Sequence, residues 1–160
     1  MPFRSSPSDR PLRLFSVLTT NQKGAIAETA IAHEAIKLGI GVLRPLADMR
    51  YDLVFDTGAE LLRVQCKWAA RHGEVVLVRF YAGRRSSSGL LRTFYDRSEI
   101  DAFAAYCPDT RSCYFFPIAE VEGRRGALLR LSATRNNQSA GIRWAREYEL
   151  GAKLEAVPGP

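Results

Sequence analysis

A hairpin near the middle of the chain carries polar side chains suited to metal-assisted hydrolysis of a phosphodiester. Asp52 precedes a turn expected at residues 58–59, and Gln65 and Lys67 follow it. Side chains alternate between the faces of a strand, and directly opposed residues of an antiparallel pair share a face. A turn centred on residues 58–59 therefore places Asp52 across from Gln65, with Lys67 on the same face.

These residue types divide the chemistry between them. Mg²⁺ prefers carboxylates, together with waters and substrate oxygens. Asp52 is the expected principal ligand, with the amide oxygen of Gln65 and the backbone carbonyl oxygen of Cys66 as further ligands. Lys67 would orient the attacking water, lower its pKa or stabilise the pentavalent phosphate.

The opposite face of the hairpin is apolar, which supports this register. It carries Tyr51, Leu53, Phe55, Val64 and Cys66. A slip of one residue would expose that apolar set to water. Asp56 shares the polar face with Asp52, but it adjoins the turn and is expected to act as a turn residue.

A helix expected over residues 21–38 carries a second carboxylate. Thr20 or Asn21 is the expected N-cap, and Gly39 is the expected end signal. At about 100° per residue, Glu28 falls within the apolar arc of this helix. A charge on a buried face is costly unless it is paired or bound to metal, so Glu28 is a candidate to hold a metal-bound water or a second ion.

The elements that must position these residues predict one mixed α/β domain. After the first helix, short apolar runs bounded by turn signals predict strands over residues 42–46, 51–55, 61–68, 75–81, 90–95, 103–107, 113–118 and 127–131. Residues 141–149 predict a short helix. The expected organisation is a flexible arm at residues 1–12, a domain over 13–150 and a flexible tail at 151–160.

Composition predicts a polyanionic partner for a globular protein. The formal net charge is +6, and only four of the 23 basic residues are lysines. Arginine binds phosphate oxygens bidentately, although a solvated basic surface is the alternative. Three cysteines without a C-x-x-C pair indicate free, mostly buried thiols. No apolar run is long enough to span a membrane and no signal peptide is evident, so a cytoplasmic location is expected.

Several segments in order resemble a known family. Y-D-L-V-F-D, followed after a short turn by R-V-Q-C-K and preceded by a helix bearing a glutamate, resembles the PD-(D/E)XK endonuclease motif. K-G-A-I-A-E-T-A-I-A, Y-C-P-D-T-R-S-C-Y-F-F-P, L-R-L-S-A-T-R-N-N-Q and G-I-R-W-A-R-E-Y resemble segments of the group within it that includes group I intron-encoded homing endonucleases. The resemblance covers roughly residues 21–149.

The resemblance implies a restriction-endonuclease-like core, with a mixed central sheet flanked by helices, and Mg²⁺-dependent cleavage of double-stranded DNA, with Mn²⁺ as a substitute. It assigns the metal-site role to Asp52, the second acidic position to Gln65, the catalytic lysine to Lys67 and the helix-borne acidic position to Glu28. Gln65 departs from the usual Asp or Glu, and one fewer negative charge should weaken metal binding.

Two basic pairs are candidate contacts to nucleic acid. Arg84 and Arg85 lie in an expected flexible loop at residues 83–89, and Arg124 and Arg125 form the second pair. Arginines and hydroxyls on such a loop can order against a phosphate backbone. The alternative is a solvated loop.

Three other functions remain open from the sequence. A Holliday junction resolvase would use the same residue types, and a DNA-binding protein with an inactive nuclease site would retain the fold and the basic surface. A protein-interaction module is a weaker alternative. By analogy with nucleases of this fold, in which each subunit cuts one strand, a homo-oligomer, either a dimer or a tetramer, is expected.

Overall fold

The computed structural model describes residues 17–136 and 139–156. The arm expected at residues 1–12 lies outside the described residues, as do the last four residues of the expected tail, 157–160.

The described chain contains four helices and ten strands. The helices are α1 (Thr20–Lys37), α2 (Ile118–Val121), α3 (Ala145–Tyr148) and α4 (Leu150–Glu155). The strands are β1 (Gly41–Leu43), β2 (Leu53–Asp56), β3 (Leu61–Trp68), β4 (Ala70–His72), β5 (Val75–Arg79), β6 (Tyr81–Ser86), β7 (Gly89–Phe94), β8 (Ala102–Cys107), β9 (Ser112–Pro117) and β10 (Gly126–Arg130). None of the helices in these ranges is long and apolar enough to cross a membrane.

A five-stranded mixed sheet forms the centre of the domain, as the sequence predicted. Its strand order is β1-β2-β3-β8-β9. Strands β3 and β8 run parallel, whereas the other neighbours are antiparallel. Strand β8 is almost continuously apolar because it is buried on both faces, which is typical of a central strand.

The hairpin register predicted from the alternation of side chains is confirmed. Leu53 pairs with Val64 and Asp56 with Leu61, which places the turn at residues 58–59. Asp56 accepts a hydrogen bond from the backbone N–H of Gly58 at 2.9 Å, as expected of a turn residue. Strand β2 begins at Leu53, so Asp52, the acidic residue of the motif, lies immediately before the strand.

Helix α1 begins one residue earlier than predicted, and its N-cap is Thr19 rather than Thr20 or Asn21. The Thr19 hydroxyl accepts from the backbone N–H of Gln22 at 3.2 Å, and the Gln22 side chain accepts from the Thr19 N–H at 2.8 Å. This reciprocal capping box satisfies two N–H groups, which explains why Thr19 is the cap.

Apolar clusters cover both faces of the central sheet. One face packs against α1 through Ala27, Ile31, Leu53, Phe55, Val64 and Phe115. The other packs against β5 and β10 through Val76, Val78, Phe80, Phe103, Phe116 and Leu129. Burying each of the larger side chains contributes about 1.5–3 kcal/mol. The three cysteines are buried with free thiols, as predicted.

The structure differs from the predicted elements at several places, and the short elements β4 and α2 were not predicted at all. Within the segment at 83–89, expected to be a flexible loop, residues 83–86 complete β6 and residue 89 begins β7 of a two-stranded ribbon. The single helix predicted over 141–149 is instead the short helix α3, and α4 follows it within the segment expected to be a tail. These errors share a cause, because short ribbons and helices depend on tertiary packing more than on local pattern.

An ion pair joins the middle of the hairpin to the start of β8. The Arg63 guanidinium donates to both carboxylate oxygens of Asp101 at 2.9 Å. The backbone N–H of Arg63 also donates to the Asp101 carboxylate, and the backbone N–H of Asp101 donates to the carbonyl oxygen of Arg63. Arg63 donates further to the carbonyl oxygens of Arg97 and Ser98. The hydrogen bonds from Arg63 lower the pKa of Asp101.

We therefore expect Asp101→Asn to lower the free energy of unfolding by about 1–2 kcal/mol at pH 7. A carboxylate whose pKa is lowered in the folded state stabilises the fold above its unfolded pKa of about 3.9, and that stabilisation is lost as the pH falls through the lowered value. The difference between variant and wild type should shrink at pH 3. Urea unfolding at both pH values measures it, with the exposed Asp48→Asn as control, and equal differences at pH 7 and pH 3 would contradict the assignment.

Candidate active site

Asp52 lies at the start of β2 with its carboxylate turned toward β3. The carboxylate accepts a hydrogen bond from the backbone N–H of Cys66 at 2.8 Å, and the Asp52 N–H donates to the carbonyl oxygen of Val64 at 3.0 Å. Burial raises the pKa of Asp52, although the Cys66 hydrogen bond and the nearby Lys67 and Arg44 oppose the shift. The carboxylate is thus fixed in direction and poorly solvated.

Lys67 projects from β3 into an aromatic environment. Its ammonium donates to the carbonyl oxygen of Tyr81 at 3.1 Å and lies 4.7 Å from the centre of the Tyr95 ring. Burial lowers the pKa of Lys67 to about 8; Asp52 opposes this shift and Arg50 adds to it. A partly desolvated ammonium beside a carboxylate interacts strongly with a nearby anion, because little water screens it.

Gln65 lies on the same strand two residues before Lys67 and is half-buried. Its amide nitrogen donates to the carbonyl oxygen of Cys66 at 3.4 Å. Within the described residues the amide oxygen of Gln65 has no donor, so this oxygen is available as a ligand. The carbonyl oxygen of Cys66 retains a second lone pair for the same purpose.

Glu28 faces the hairpin from α1 and is paired with an arginine that the sequence did not single out. Its side chain is 25% exposed, and its carboxylate accepts from the Arg44 guanidinium at 2.6 Å. Burial and the negative charge of Asp52 raise the pKa of Glu28, whereas Arg44 lowers it. The two carboxylates therefore lie close enough to repel each other.

Two arginines near the site were missed from the sequence. Arg44 follows β1 directly, and Arg50 places its guanidinium 4.1 Å from the centre of the Tyr95 ring. Arg50 also donates to Glu99 at 2.9 Å. No local spacing signals these contacts, because each depends on how segments distant in sequence pack together.

The oxygen-rich donor set fits a hard divalent cation. Glu28, Arg44, Asp48, Tyr51 and Asp52 line an open groove beside the hairpin. Within the described ranges, no three or more His, Cys, Asp or Glu side chains lie close enough together to form a metal site by themselves. The available donors are two mutually repelling carboxylates, an amide oxygen and a backbone carbonyl oxygen, and a cation would relieve that repulsion.

The two predicted arginine pairs do not line this groove. Arg84 and Arg85 are exposed on β6, and Arg124 and Arg125 are exposed just before β10. Two hydrogen bonds lead from the site to the base of the β6–β7 ribbon, since Lys67 donates to the carbonyl oxygen of Tyr81 and Arg50 donates to that of Phe94.

A family model described as PD-(D/E)XK endonuclease matches residues 18–151, which is most of the chain. The chain belongs to the PD-(D/E)XK endonuclease family. This PD-(D/E)XK nuclease is also similar to the solved structure of a bacterial homing endonuclease, I-Ssp6803I. The two share 27% sequence identity and a TM-score of 0.68, over 86% of this chain and 93% of the other. The predicted restriction-endonuclease-like fold is confirmed. No curated protein sequence matches the chain.

In the metal-free nuclease, Asp52→Asn should raise the thermal midpoint at pH 7 by about 2–4 °C, because the carboxylate with a raised pKa destabilises the fold when charged. Asparagine retains an oxygen for the Cys66 N–H. Because the pKa is raised in the folded state, the charged Asp52 carboxylate destabilises the fold above the ordinary carboxyl range. This destabilisation disappears as the pH falls through that range and the carboxylate is protonated, so the higher midpoint of Asp52→Asn should vanish near pH 3.

Calorimetry in EDTA at both pH values tests this, with the exposed Glu60→Gln as a matched loss of one charge. A lower midpoint for Asp52→Asn at pH 7 would show that the carboxylate stabilises the metal-free protein.

Proposed function

We propose that the protein is a metal-dependent endodeoxyribonuclease that hydrolyses phosphodiester bonds in double-stranded DNA, in the manner of a homing endonuclease. The observation that carries the proposal is that β3 holds both the Asp52 carboxylate and the Lys67 ammonium in a chain of this nuclease family. The N–H of Cys66 fixes the carboxylate, and the carbonyl oxygen of Tyr81 fixes the ammonium of the next residue, Lys67. The solved relative is a homing endonuclease, which supports the finer assignment.

The proposed metal is Mg²⁺, for which Mn²⁺ would substitute. Asp52 would be its main ligand, with the amide oxygen of Gln65 and the carbonyl oxygen of Cys66. When bound, the ion would polarise the scissile phosphate and lower the pKa of a bound water. Because Arg44 already neutralises Glu28, we favour one ion, with Glu28 receiving a hydrogen bond from a water of the site.

Lys67 would act on the reacting phosphate directly. One of its three N–H groups is used by the Tyr81 carbonyl oxygen, which leaves two to point at the attacking water and a phosphate oxygen. Its position above the Tyr95 ring and its hydrogen bond to Tyr81 fix the ammonium in place. The charge that develops on the pentavalent phosphate would then meet a preformed cation.

The wider assembly follows from the need to cut two strands. Arg84, Arg85, Arg124 and Arg125 are proposed as contacts to the DNA backbone, since all four are exposed and cationic. A homo-oligomer, dimer or tetramer, would present one site to each strand. The cytoplasmic location remains a prediction from the sequence.

Two observations keep alternatives in view. A helix-borne glutamate beside the Asp and Lys residues also suits a Holliday junction resolvase. The glutamine at position 65 and the absence of a three-acid cluster in the described ranges suit a DNA-binding protein with an inactive site. Cleavage and metal binding separate these alternatives from the main proposal.

Wild-type protein should cut supercoiled plasmid carrying a library of candidate targets when Mg²⁺ or Mn²⁺ is present, and Lys67→Met should cut at least roughly 100-fold more slowly, because the phosphate loses its cation. Methionine retains most of the buried volume. Gel assays of nicked and linear DNA provide the measurement, and four-way-junction DNA is tested in parallel.

The exposed Lys37→Ala is the control and should cut within about twofold of wild type. Preference for the four-way junction would favour the resolvase, and cutting by Lys67→Met at the wild-type rate would remove Lys67 from the mechanism.

Gln65→Glu should bind Mn²⁺ roughly tenfold more tightly than wild type, because a carboxylate replaces a neutral ligand. Asp52→Asn should abolish binding. Isothermal titration of the three proteins checks both expectations. Absence of Mn²⁺ binding by wild type, with binding restored in Gln65→Glu, is the result expected of an inactive site.

A further inference from the structure

A second groove lies where the β6–β7 ribbon leaves the smaller sheet formed by β4, β5 and β10. It is lined by Arg79, Arg92 and Arg125 around Tyr81, with Leu77 and Leu128 as its apolar part. We call these six residues the arginine groove. The chain that builds most of it, residues 75–95, contains four arginines and no Asp or Glu.

The ribbon register sets which side chains face this groove. Tyr81 pairs with Phe94, Gly83 with Arg92 and Arg85 with Leu90. Opposed residues share a face and alternate residues return to it, so Arg85 and Arg92 lie on the Tyr81 face. The Arg92 guanidinium lies 5.2 Å from the centre of the Tyr81 ring.

A glycine lies opposite each of two groove arginines. Gly83 is opposite Arg92, and Gly126 is opposite Arg79. A Cβ atom at Gly126 would lie 2.4 Å from the carbonyl oxygen of Val78, so only glycine permits this strand pairing. Arg125 is held next to it, because its carbonyl oxygen accepts from the Phe80 N–H at 3.0 Å.

Among the residues that the structure describes, no acidic side chain neutralises the positive charge of the arginine groove. Five other arginines have acidic partners, namely Arg44, Arg50, Arg63, Arg71 and Arg97. Across residues 17–136 and 139–156, no ion pair involves Arg79, Arg85, Arg92 or Arg125, and no acidic side chain lines the groove. Clustered, unneutralised guanidinium groups attract a polyanion.

The groove adjoins the candidate active site through the base of the ribbon. Lys67 donates to the carbonyl oxygen of Tyr81, and Arg50 donates to the carbonyl oxygen of Phe94 at 2.9 Å. Tyr81 and Phe94 are the paired residues at that base. One residue, Tyr81, therefore contacts Lys67 through its backbone and lines the groove with its ring.

We propose that the arginine groove binds the sugar–phosphate backbone of duplex DNA beside the cleavage site, an inference that rests on the proposed function. Arg79, Arg92 and Arg125 contact phosphate oxygens, and the apolar surface of Leu77, Leu128 and Tyr81 contacts deoxyribose. The mixture of cationic and apolar surface fits a polymer backbone better than a free phosphate ion.

The test measures the salt dependence of binding to a labelled 30-base-pair duplex in EDTA, where no metal-dependent cutting takes place. Each phosphate contact contributes about 0.9 to the slope of log affinity against log salt concentration. Arg92→Gln should lower the slope by about 0.9, and the triple Gln variant at 79, 92 and 125 by about three times as much. Arg92→Lys should retain the slope, because it keeps the charge.

The matched control is Arg111→Gln, which removes an exposed arginine in the β8–β9 turn and should leave affinity and slope at the wild-type values. Thermal midpoints of all variants confirm folding. A wild-type slope in the triple variant would overturn the proposal. The proposal would also be overturned if the triple variant lost affinity for duplex RNA while its affinity for duplex DNA stayed unchanged.

The two proposals fail in different ways. Lys67-dependent cutting of DNA with an unchanged slope in the triple variant would remove the groove and leave the nuclease. Groove-dependent DNA binding without any metal-dependent cutting would support the groove and overturn the catalytic proposal. Wild type that binds no duplex at any salt concentration would overturn the groove and the choice of DNA as partner together.

Discussion

The register of β2 against β3 is the constraint on which the rest of the structure depends. With Leu53 opposite Val64, the apolar residues of both strands face α1, whereas Gln65 and Lys67 point away from it. A shift of one residue would expose Phe55 and bury Gln65 and Lys67 against the helix. The fold and the candidate site are therefore specified by the same alternation, and neither changes without the other.

This arrangement lowers stability, because it partly buries charged side chains. Burial raises the pKa of Asp52, burial and the negative charge of Asp52 raise that of Glu28, and burial lowers the pKa of Lys67. Partial compensation comes from a backbone N–H, from Arg44 and from an aromatic ring. Such unfavourable electrostatics are typical of functional sites, where stability is sacrificed for reactivity.

The sequence predicted the parts of the molecule that rest on periodicity. Strand β3 has the predicted limits, the hairpin register is as expected, and α1 differs by one residue at each end. Strand β7 overlaps the strand predicted over 90–95, whereas most of β6 and the helix α4 were missed, because Gly- and Ser-rich or terminal segments acquire structure from their neighbours. Arg44 and Arg50 were missed for the same reason, since their contacts with Glu28 and Tyr95 join segments that no local pattern connects.

The close approach at Gly126 has an evolutionary consequence. A Cβ atom there would collide with the Val78 carbonyl oxygen, so replacing Gly126 by any other residue would disturb this strand pairing. The neighbouring arginines carry no such restriction, because their side chains extend into solvent. A lineage descended from this chain would therefore be free to exchange its charged residues and meet new target molecules, while the glycine beneath them stayed fixed.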